Sequence, residues 1–456
     1  MSMFFFLILF RLQVLSGNVS QADWDRLQYY SRRVKTFIVV YIDRGPQVHP
    51  STYVRITELQ TSTLFPSLRH LECYFGDKTI PPITLFLSPR LDSLSFHYIG
   101  GFENTAVEPF LATLSSSPQM LTRIVLNSGR MSGEFLKNSF VHFKQLRTLQ
   151  FSDAVLMTDF SLWEVLGTLP SLKNLTLAAE DPESHPAHAP VNSNSRSGGL
   201  RYFEALESLR VLGSFFFIQH LLGFIDSSCL KSITVDPVID HVHNDSEREH
   251  DLGDLLIPSM TILATKWSQS LTDLTIYSTP ETNATGFTHR NSKFLTLLTN
   301  LCEIRRFFIS GWAMENNDDA VRRLAKSWSK LKHFVWGVRQ LPLNQTFVSL
   351  STLRVFADHC PELQYLHIPF DISTIPPFDN ISSKKSPGHN LEVLVLDDFG
   401  GDHLLVQTML DCQIQVARHL DFVFPYLKTI NVGNANWSGI RNLVKIYQDA
   451  RRFGGQ

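Results

Sequence analysis

One short pattern of apolar and polar positions returns along the chain: an apolar residue, two variable ones, a second apolar residue, one variable, and a third apolar residue. It reads Leu68-Leu71-Cys73, Leu91-Leu94-Phe96, Leu121-Ile124-Leu126, Leu146-Leu149-Phe151, Leu172-Leu175-Leu177, Leu206-Leu209-Val211 and Leu230-Ile233-Val235. It continues as Leu271-Leu274-Ile276, Ile304-Phe307-Ile309, Leu331-Phe334-Trp336, Leu363-Leu366-Ile368, Leu391-Leu394-Leu396 and Leu427-Ile430-Val432, thirteen copies in all, with Val34-Phe37-Val39 a fourteenth at the start. Successive copies stand 23 to 41 residues apart, with a mean near 30. The last two apolar residues are two apart, so both point to one face of a strand. The first anchors the turn into that strand, and short phrases such as Phe65-Pro66-Ser67, Leu169-Pro170-Ser171 and Cys360-Pro361-Glu362 introduce it. Between the copies, apolar residues recur at helical spacing over 107–114, 162–169, 217–225, 260–267, 294–301, 320–328, 353–359 and 404–422.

A strand followed by a helix, repeated, demands parallel strands joined by right-handed crossovers. With one strand per unit, the units stack into a solenoid in which each buries too little alone and neighbours share one core. A generic doubly wound sheet has no reason to repeat one short motif thirteen times. The pattern resembles the leucine-rich repeat. The expected fold class is α/β, a leucine-rich-repeat horseshoe built as a right-handed solenoid of about 13–14 irregular repeats. At about 4.8 Å per strand, the strands would line an arc on the order of 60 Å. The Asn or Cys that usually follows after two further residues is replaced by residues such as Gly76, Gly129, Ser214 and Asp371. That places the chain with long, uneven repeats.

The remaining segments complete the expected organisation. Residues 1–19 form an atypical apolar leader, with an unbroken run from Phe4 to Phe10 closed by Arg11. That run is too short to span a bilayer, and no Lys or Arg precedes it as a signal peptide requires, although Ser16 and Gly17 are small enough to flank a cleavage site. Residues 20–33 are expected to form a junction with an N-terminal cap helix, 34–445 the solenoid, and 446–456 a C-terminal tail. Two insertions interrupt the solenoid, a Pro/Ser/Asn/Gly-rich one at 180–199 and an acidic, His-bearing one at 236–252.

Trp24, Asp25, Arg26, Tyr30, Arg33 and Val34 resemble the junction of F-box proteins of mushroom-forming (basidiomycete) fungi, which continue into irregular leucine-rich repeats. The resemblance covers roughly residues 20–440 and includes the Phe/Cys-Pro-x-Leu-x-x-Leu phrases. It implies a substrate-recognition subunit of a ubiquitin ligase. In that family an F-box binds a Skp-type adaptor of a cullin ligase, and the repeats hold the substrate protein. Nothing before Trp24 resembles the F-box, so adaptor and cullin are expected partners only with an F-box upstream. The alternatives are a repeat scaffold that binds proteins without ubiquitination and, if the leader is cleaved, a secreted repeat protein.

Composition narrows the function classes. With 41 basic and 43 acidic residues the formal net charge is −2, which lacks the basic footprint of a nucleic-acid binder. Five cysteines, Cys73, Cys229, Cys302, Cys360 and Cys412, form no CxxC pair, which argues against a disulfide framework or structural zinc and fits a cytoplasmic or nuclear setting. Asp240, His241, His243, Asp245, Glu247, Glu249, His250 and Asp251 are metal-ligand types, but their spacing matches no zinc signature and reads as a solvated loop. Asp398-Phe399-Gly400 echoes a kinase triplet without a Gly-rich or catalytic loop. There is no P-loop, GxSxG or GxGxxG. Neither catalytic residues, cofactor nor metal are expected, and the chain is read as a protein-binding module rather than an enzyme.

The binding face follows from the strand period. Residues either side of the middle apolar position point away from the core, toward the concave side. In the central units they are small and polar: Ser93 and Ser95, Thr148 and Gln150, Asn174 and Thr176, Ser232 and Thr234. Further on they become Arg306 and Phe308, His333 and Val335, Tyr365 and His367, Val393 and Val395. Arg and aromatic residues are enriched at binding hot spots, so these eight form the candidate protein-binding patch.

Overall fold

The computed structural model describes residues 20–41, 50–59, 63–75, 83–98, 107–116, 120–127, 133–152, 160–178, 201–238, 252–277, 293–310, 318–337, 348–371, 389–397, 406–432 and 439–454. The chain divides into two compact units, Met1–Gly213 with Phe224–Cys229, and Ser214–Gly223 with Leu230–Gln456.

In the first unit, helix α1 (Gln21–Ser31) precedes strand β1 (Thr36–Tyr41), then come α2 (Pro50–Leu59), β2 (His70–Phe75), a 3-10 turn (Ile83–Phe86), β3 (Ser93–Tyr98) and α3 (Val107–Ser115). The unit continues with β4 (Arg123–Asn127), α4 (Gly133–Phe140), β5 (Thr148–Ser152), α5 (Phe160–Gly167), β6 (Asn174–Ala178) and β7 (Ser208–Gly213). All seven strands pair in parallel and in chain order.

The second unit takes α6 (Phe215–Phe224) up to Gly223, then β8 (Ser232–Pro237), α7 (Leu252–Lys266), β9 (Asp273–Tyr277), α8 (Lys293–Leu298) and β10 (Arg306–Ser310). After these come α9 (Asp318–Ser327), β11 (His333–Gly337), β12 (Val348–Ser349), α10 (Ser351–His359), β13 (Tyr365–Asp371), β14 (Val393–Asp397), α11 (Val406–Val423), β15 (Thr429–Val432) and α12 (Gly439–Gly454). Here β8, β9, β10, β11, β13, β14 and β15 pair in parallel and in order, with β12 a short side strand on β13.

This is the strand-then-helix leucine-rich-repeat solenoid that the motif implies, and the register proves the motif's meaning. Phe37 pairs with Leu71 and Val39 with Cys73; Phe307 pairs with Phe334 and Ile309 with Trp336. The paired motif residues thus stack in two apolar columns under the strands, nearly all of them buried, with Phe37 on the first strand half-buried. The leading Leu or Ile of each of the thirteen copies is buried as well, and in many of them its amide closes a tight turn on a carbonyl three or four residues earlier, as Leu68 does on Phe65 and Leu331 on Trp328.

A second repeat lies in the backbone. The carbonyl of the residue just before most strands accepts two N–H groups from the next unit. Lys35 receives Arg69 and His70 at 2.8 and 3.0 Å, and Arg305 receives Lys332 and His333 at 2.8 and 3.0 Å. The same fork is made by Arg69, Asp92, Thr122, Arg147 and Lys173 in the first unit and by Lys231, Thr272, Lys332, Gln364 and Glu392 in the second.

Aromatic residues fill the space between strands and helices. In the second unit Trp328, Phe307, Phe334 and Phe356, in that order, form a chain with ring centroids 5.0 to 5.4 Å apart between neighbours. Trp328 is fully buried, and its indole N–H donates to the Leu298 carbonyl at 3.3 Å. In the first unit Phe37, Phe65 and Phe86 stack. There Phe203 sits at φ 61°, the left-handed region that L residues rarely adopt. Its N–H reaches the Gly167 carbonyl at 2.8 Å. A Cβ at Gly167 would meet Tyr202 at 2.8 Å, so this close approach requires glycine.

The eight segments of helical spacing all carry helices. Others were not expected: α2, α4, and α12, which runs through the boundary at 445/446 where a tail was read. β8 continues through Asp236 and Pro237 and α7 begins at Leu252, so the second insertion is shorter than 236–252. The leader, most of both insertions and Asp398-Phe399-Gly400 lie outside the described residues. β12 exists because Asp318 gathers it: its carboxylate accepts the Ser349 N–H at 2.8 Å, the Ser349 hydroxyl at 2.6 Å and the Thr352 hydroxyl at 3.0 Å.

Where the turn residue is polar, it plugs the core by hydrogen bonding. Ser227 donates to the Leu206 carbonyl at 2.7 Å, and Ser88 to that of Pro66 at 3.3 Å. His389, 3% exposed, accepts the Leu391 N–H on Nδ1 at 3.1 Å, which leaves Nε2 to donate to the Cys360 carbonyl at 2.7 Å.

Two stability predictions follow from this core. Trp328→Ala removes a buried indole and is expected to cost about 3–5 kcal/mol, measured as a shift in the urea midpoint of the second unit. Burial holds the His389 imidazole below its ordinary 6.5, against the pull of its bond to the Cys360 carbonyl. A depressed folded value means the stabilisation is fully present above about 6.5 and is lost as pH falls through the lower folded value. The urea midpoint of the wild type should therefore drop between neutral and mildly acid pH, and His389→Gln should flatten that slope.

Candidate binding surface

Strand alternation dictates the face opposite the helices: if Phe307 and Ile309 point inward, Arg306, Phe308 and Ser310 point outward. The eight residues singled out by the sequence sit on β10, β11, β13 and β14, all in the second unit. Parallel register aligns them in two rows. Arg306 pairs with His333, His333 with Tyr365 and Tyr365 with Val393; Phe308 pairs with Val335, Val335 with His367 and His367 with Val395. Arg306 is exposed and the other seven are half-buried. The sequence reading and the structure agree in bringing all eight together on adjacent strands.

The patch extends one strand further than the sequence indicated. Asp273, Thr275 and Tyr277 of β9 pair with Arg306, Phe308 and Ser310. The Asp273 carboxylate forms an ion pair with Arg306 Nε and accepts the Thr272 hydroxyl at 2.7 Å. The Tyr277 ring lies 5.3 Å from Phe308, and the His333 and Tyr365 rings stack at 6.2 Å. The hydrogen bond from Arg306 to Asp273 raises the Arg306 pKa above its already high value. Burial lowers that of His333, helped by the Arg306 and Lys332 cations and opposed by Asp273. His333 is therefore a neutral ring at neutral pH.

The first unit's face has a different character. Tyr74 donates to Glu72 at 2.5 Å and stacks on His97 at 4.6 Å. His97 Nε2 stands 3.5 Å from the same carboxylate. The Asn127 amide N–H donates to His97 Nδ1 at 3.2 Å, and Asn127 Oδ1 accepts from Gln150 and Ser152, both at 3.2 Å. The bond to Glu72 raises the Tyr74 pKa. This polar chain across β2, β3, β4 and β5 escaped the sequence reading, which saw the central positions only as small and polar. The signal was present in Tyr74, His97 and Asn127 at matching strand positions, with Glu72 two residues before Tyr74 on the same face.

Two thiols are core filling rather than chemistry. Burial raises the Cys73 thiol pKa far above its ordinary value and pushes that of Cys360 up to about 12. Cys73 occupies a motif position, and Cys360 donates to the Ala325 carbonyl at 3.3 Å. Among the described residues no group of three or more His, Cys, Asp or Glu could hold a metal ion. The cluster at 240–251 lies outside them. No described helix is long and apolar enough to cross a membrane.

No protein-family model and no curated protein matches the chain. Solved structures similar to it include the yeast Rad7–Elc1 complex, at 13% identity over 85% of this chain and 87% of that one, TM-score 0.32. Internalin C2 of Listeria monocytogenes is 13% identical over 64% of this chain and 93% of that one, TM-score 0.25. A leucine-rich-repeat protein of Leptospira interrogans is 12% identical over 80% and 91%, TM-score 0.26. At these scores the likenesses bear no weight, and the fold rests on strand order and register.

The patch makes a local prediction. His333 should titrate below the ordinary histidine range in NMR, and Arg306→Gln should raise its value, because a neighbouring cation disappears and Asp273 is left unopposed.

Proposed function

We propose that this protein is a protein-binding repeat module whose partner docks on the outward face of β9, β10, β11, β13 and β14. The observation that carries this reading is the pair of rows formed by Arg306, His333, Tyr365 and Phe308, Val335, His367. A rigid sheet holds Arg and aromatic groups at fixed spacing, so little ordering entropy is lost when a partner arrives. Such residue types dominate interface energetics when a partner desolvates them.

The finer reading, a substrate-recognition subunit of a ubiquitin ligase, is supported by the junction residues alone. Trp24, Asp25, Arg26 and Tyr30 lie on α1, with Arg33 and Val34 in the turn after it. That reading requires an F-box to engage a Skp-type adaptor. A repeat scaffold acting without ubiquitination fits the same patch.

The test is affinity capture of the natural protein from its own cells, against a variant carrying Arg306→Ala, Phe308→Ala and Tyr365→Ala. Arg306 is exposed and the two rings are half-buried, so circular dichroism should show the fold retained. Loss of each hot-spot side chain weakens binding about tenfold or more, so the specific partner should vanish from the variant. A partner recovered equally by both chains would sink the reading. Co-recovery of a Skp-type adaptor and a cullin with the wild type carries the ligase version; a partner recovered without them leaves the scaffold.

A further inference from the structure

The patch has a polarity that constrains what lies on it. At one side stands Arg306, tethered rather than floppy: Asp273 engages its Nε, and Thr272 fixes Asp273. The Arg306 side chain is nonetheless 68% exposed. Its terminal N–H groups can therefore donate as a fork to a carboxylate without paying to order the side chain. Arg305 and Lys332 occupy the strand entrances beside it, with Asp273 paired to Arg306 and Glu362 to Lys332.

In the second row Phe308 and Val335 stand side by side as an apolar pair, followed by His367 and Val395. Neighbouring strands are about 4.8 Å apart, and residues two apart along a strand are about 6.8 Å apart, so Arg306 to Val335 spans about 8 Å. An extended peptide spaces its own alternate side chains by about 7 Å on one side. A carboxylate on Arg306 thus puts the side chain two residues away over Phe308 and Val335.

We propose that this face binds an extended segment of a partner protein bearing an Asp or Glu two residues from an aromatic or large aliphatic side chain. The acid sits on Arg306 and the apolar group over Phe308 and Val335. This rests on the protein-binding reading above. A nucleic acid fits less well, because one tethered Arg beside an apolar row offers few phosphate contacts and the chain's net charge is −2.

The test pans a phage library of random twelve-residue peptides on the full chain, on Arg306→Glu and on Phe308→Ala. The wild type should enrich peptides with Asp or Glu two positions from Phe, Tyr, Trp or Leu. A synthetic peptide of that class should bind Arg306→Glu at least tenfold more weakly, and its Lys counterpart should prefer the variant. Arg306→Gln should weaken binding and reduce its salt dependence, which covers the case in which Arg306→Glu misfolds. Enriched peptides without an acid, or binding indifferent to Arg306, would overturn the proposal. If no peptide is enriched while the triple-alanine chain still loses its cellular partner, the peptide class is wrong and the protein-binding reading stands. Enrichment insensitive to both Arg306 and Phe308 removes this face from both readings.

Discussion

Everything in this molecule depends on one shared carbonyl per unit. The residue before most strands offers its oxygen to two N–H groups of the following unit, as Arg305 does to Lys332 and His333. The fork fixes the next strand's entry point, and parallel pairing then carries register down the strand. Once register is fixed, the motif's apolar residues fall into columns and the intervening residues fall into rows on the opposite face. The core and the candidate surface are consequences of the same constraint. Because the backbone supplies it, the side chains at the strand entrances are free to vary, and they do: Lys35, Asp92, Thr122 and Gln364 all serve.

The same logic explains which core positions tolerate polarity. The turn into a strand usually carries a large buried group such as Phe65, Phe203 or Trp328. Ser88, Ser227 and His389 replace it only because each finds a carbonyl to donate to and an N–H to accept from. A buried polar group without such partners would cost on the order of 1–3 kcal/mol. In His389 the price is a pH dependence, since only the neutral imidazole can both accept from Leu391 and donate to Cys360.

Much of this was legible in the sequence. The spacing Leu331-Phe334-Trp336 states a turn anchor and two same-face strand residues, and each copy meant the same thing. What escaped was structure defined by side-chain partners rather than periodicity. The two-residue strand β12 carries no pattern of its own and exists through Asp318. Helix α12 did carry a signal, with Ile440 and Val444 four apart and both buried, yet it follows the last motif and has no further strand to announce it. For the surface, alternation located Arg306 and Phe308. It did not show that Asp273, one strand and 33 residues earlier, ties Arg306 down, because that contact depends on which strands become neighbours.

The two units spend their outward-facing polar groups differently. In the first, Glu72, Tyr74, His97, Asn127, Gln150 and Ser152 satisfy one another. A partner covering them would have to break or match bonds already made, and gains little net energy from polar contacts of that kind. In the second, the face bears a tethered guanidinium, stacked rings and valines, groups whose apolar surface is worth about 25 cal/mol per Å² once water leaves it. The first face is therefore stiffened by its own network, whereas the second retains unspent interaction energy. That difference, rather than the repeat fold as such, is the ground on which the proposed binding role rests with β9, β10, β11, β13 and β14.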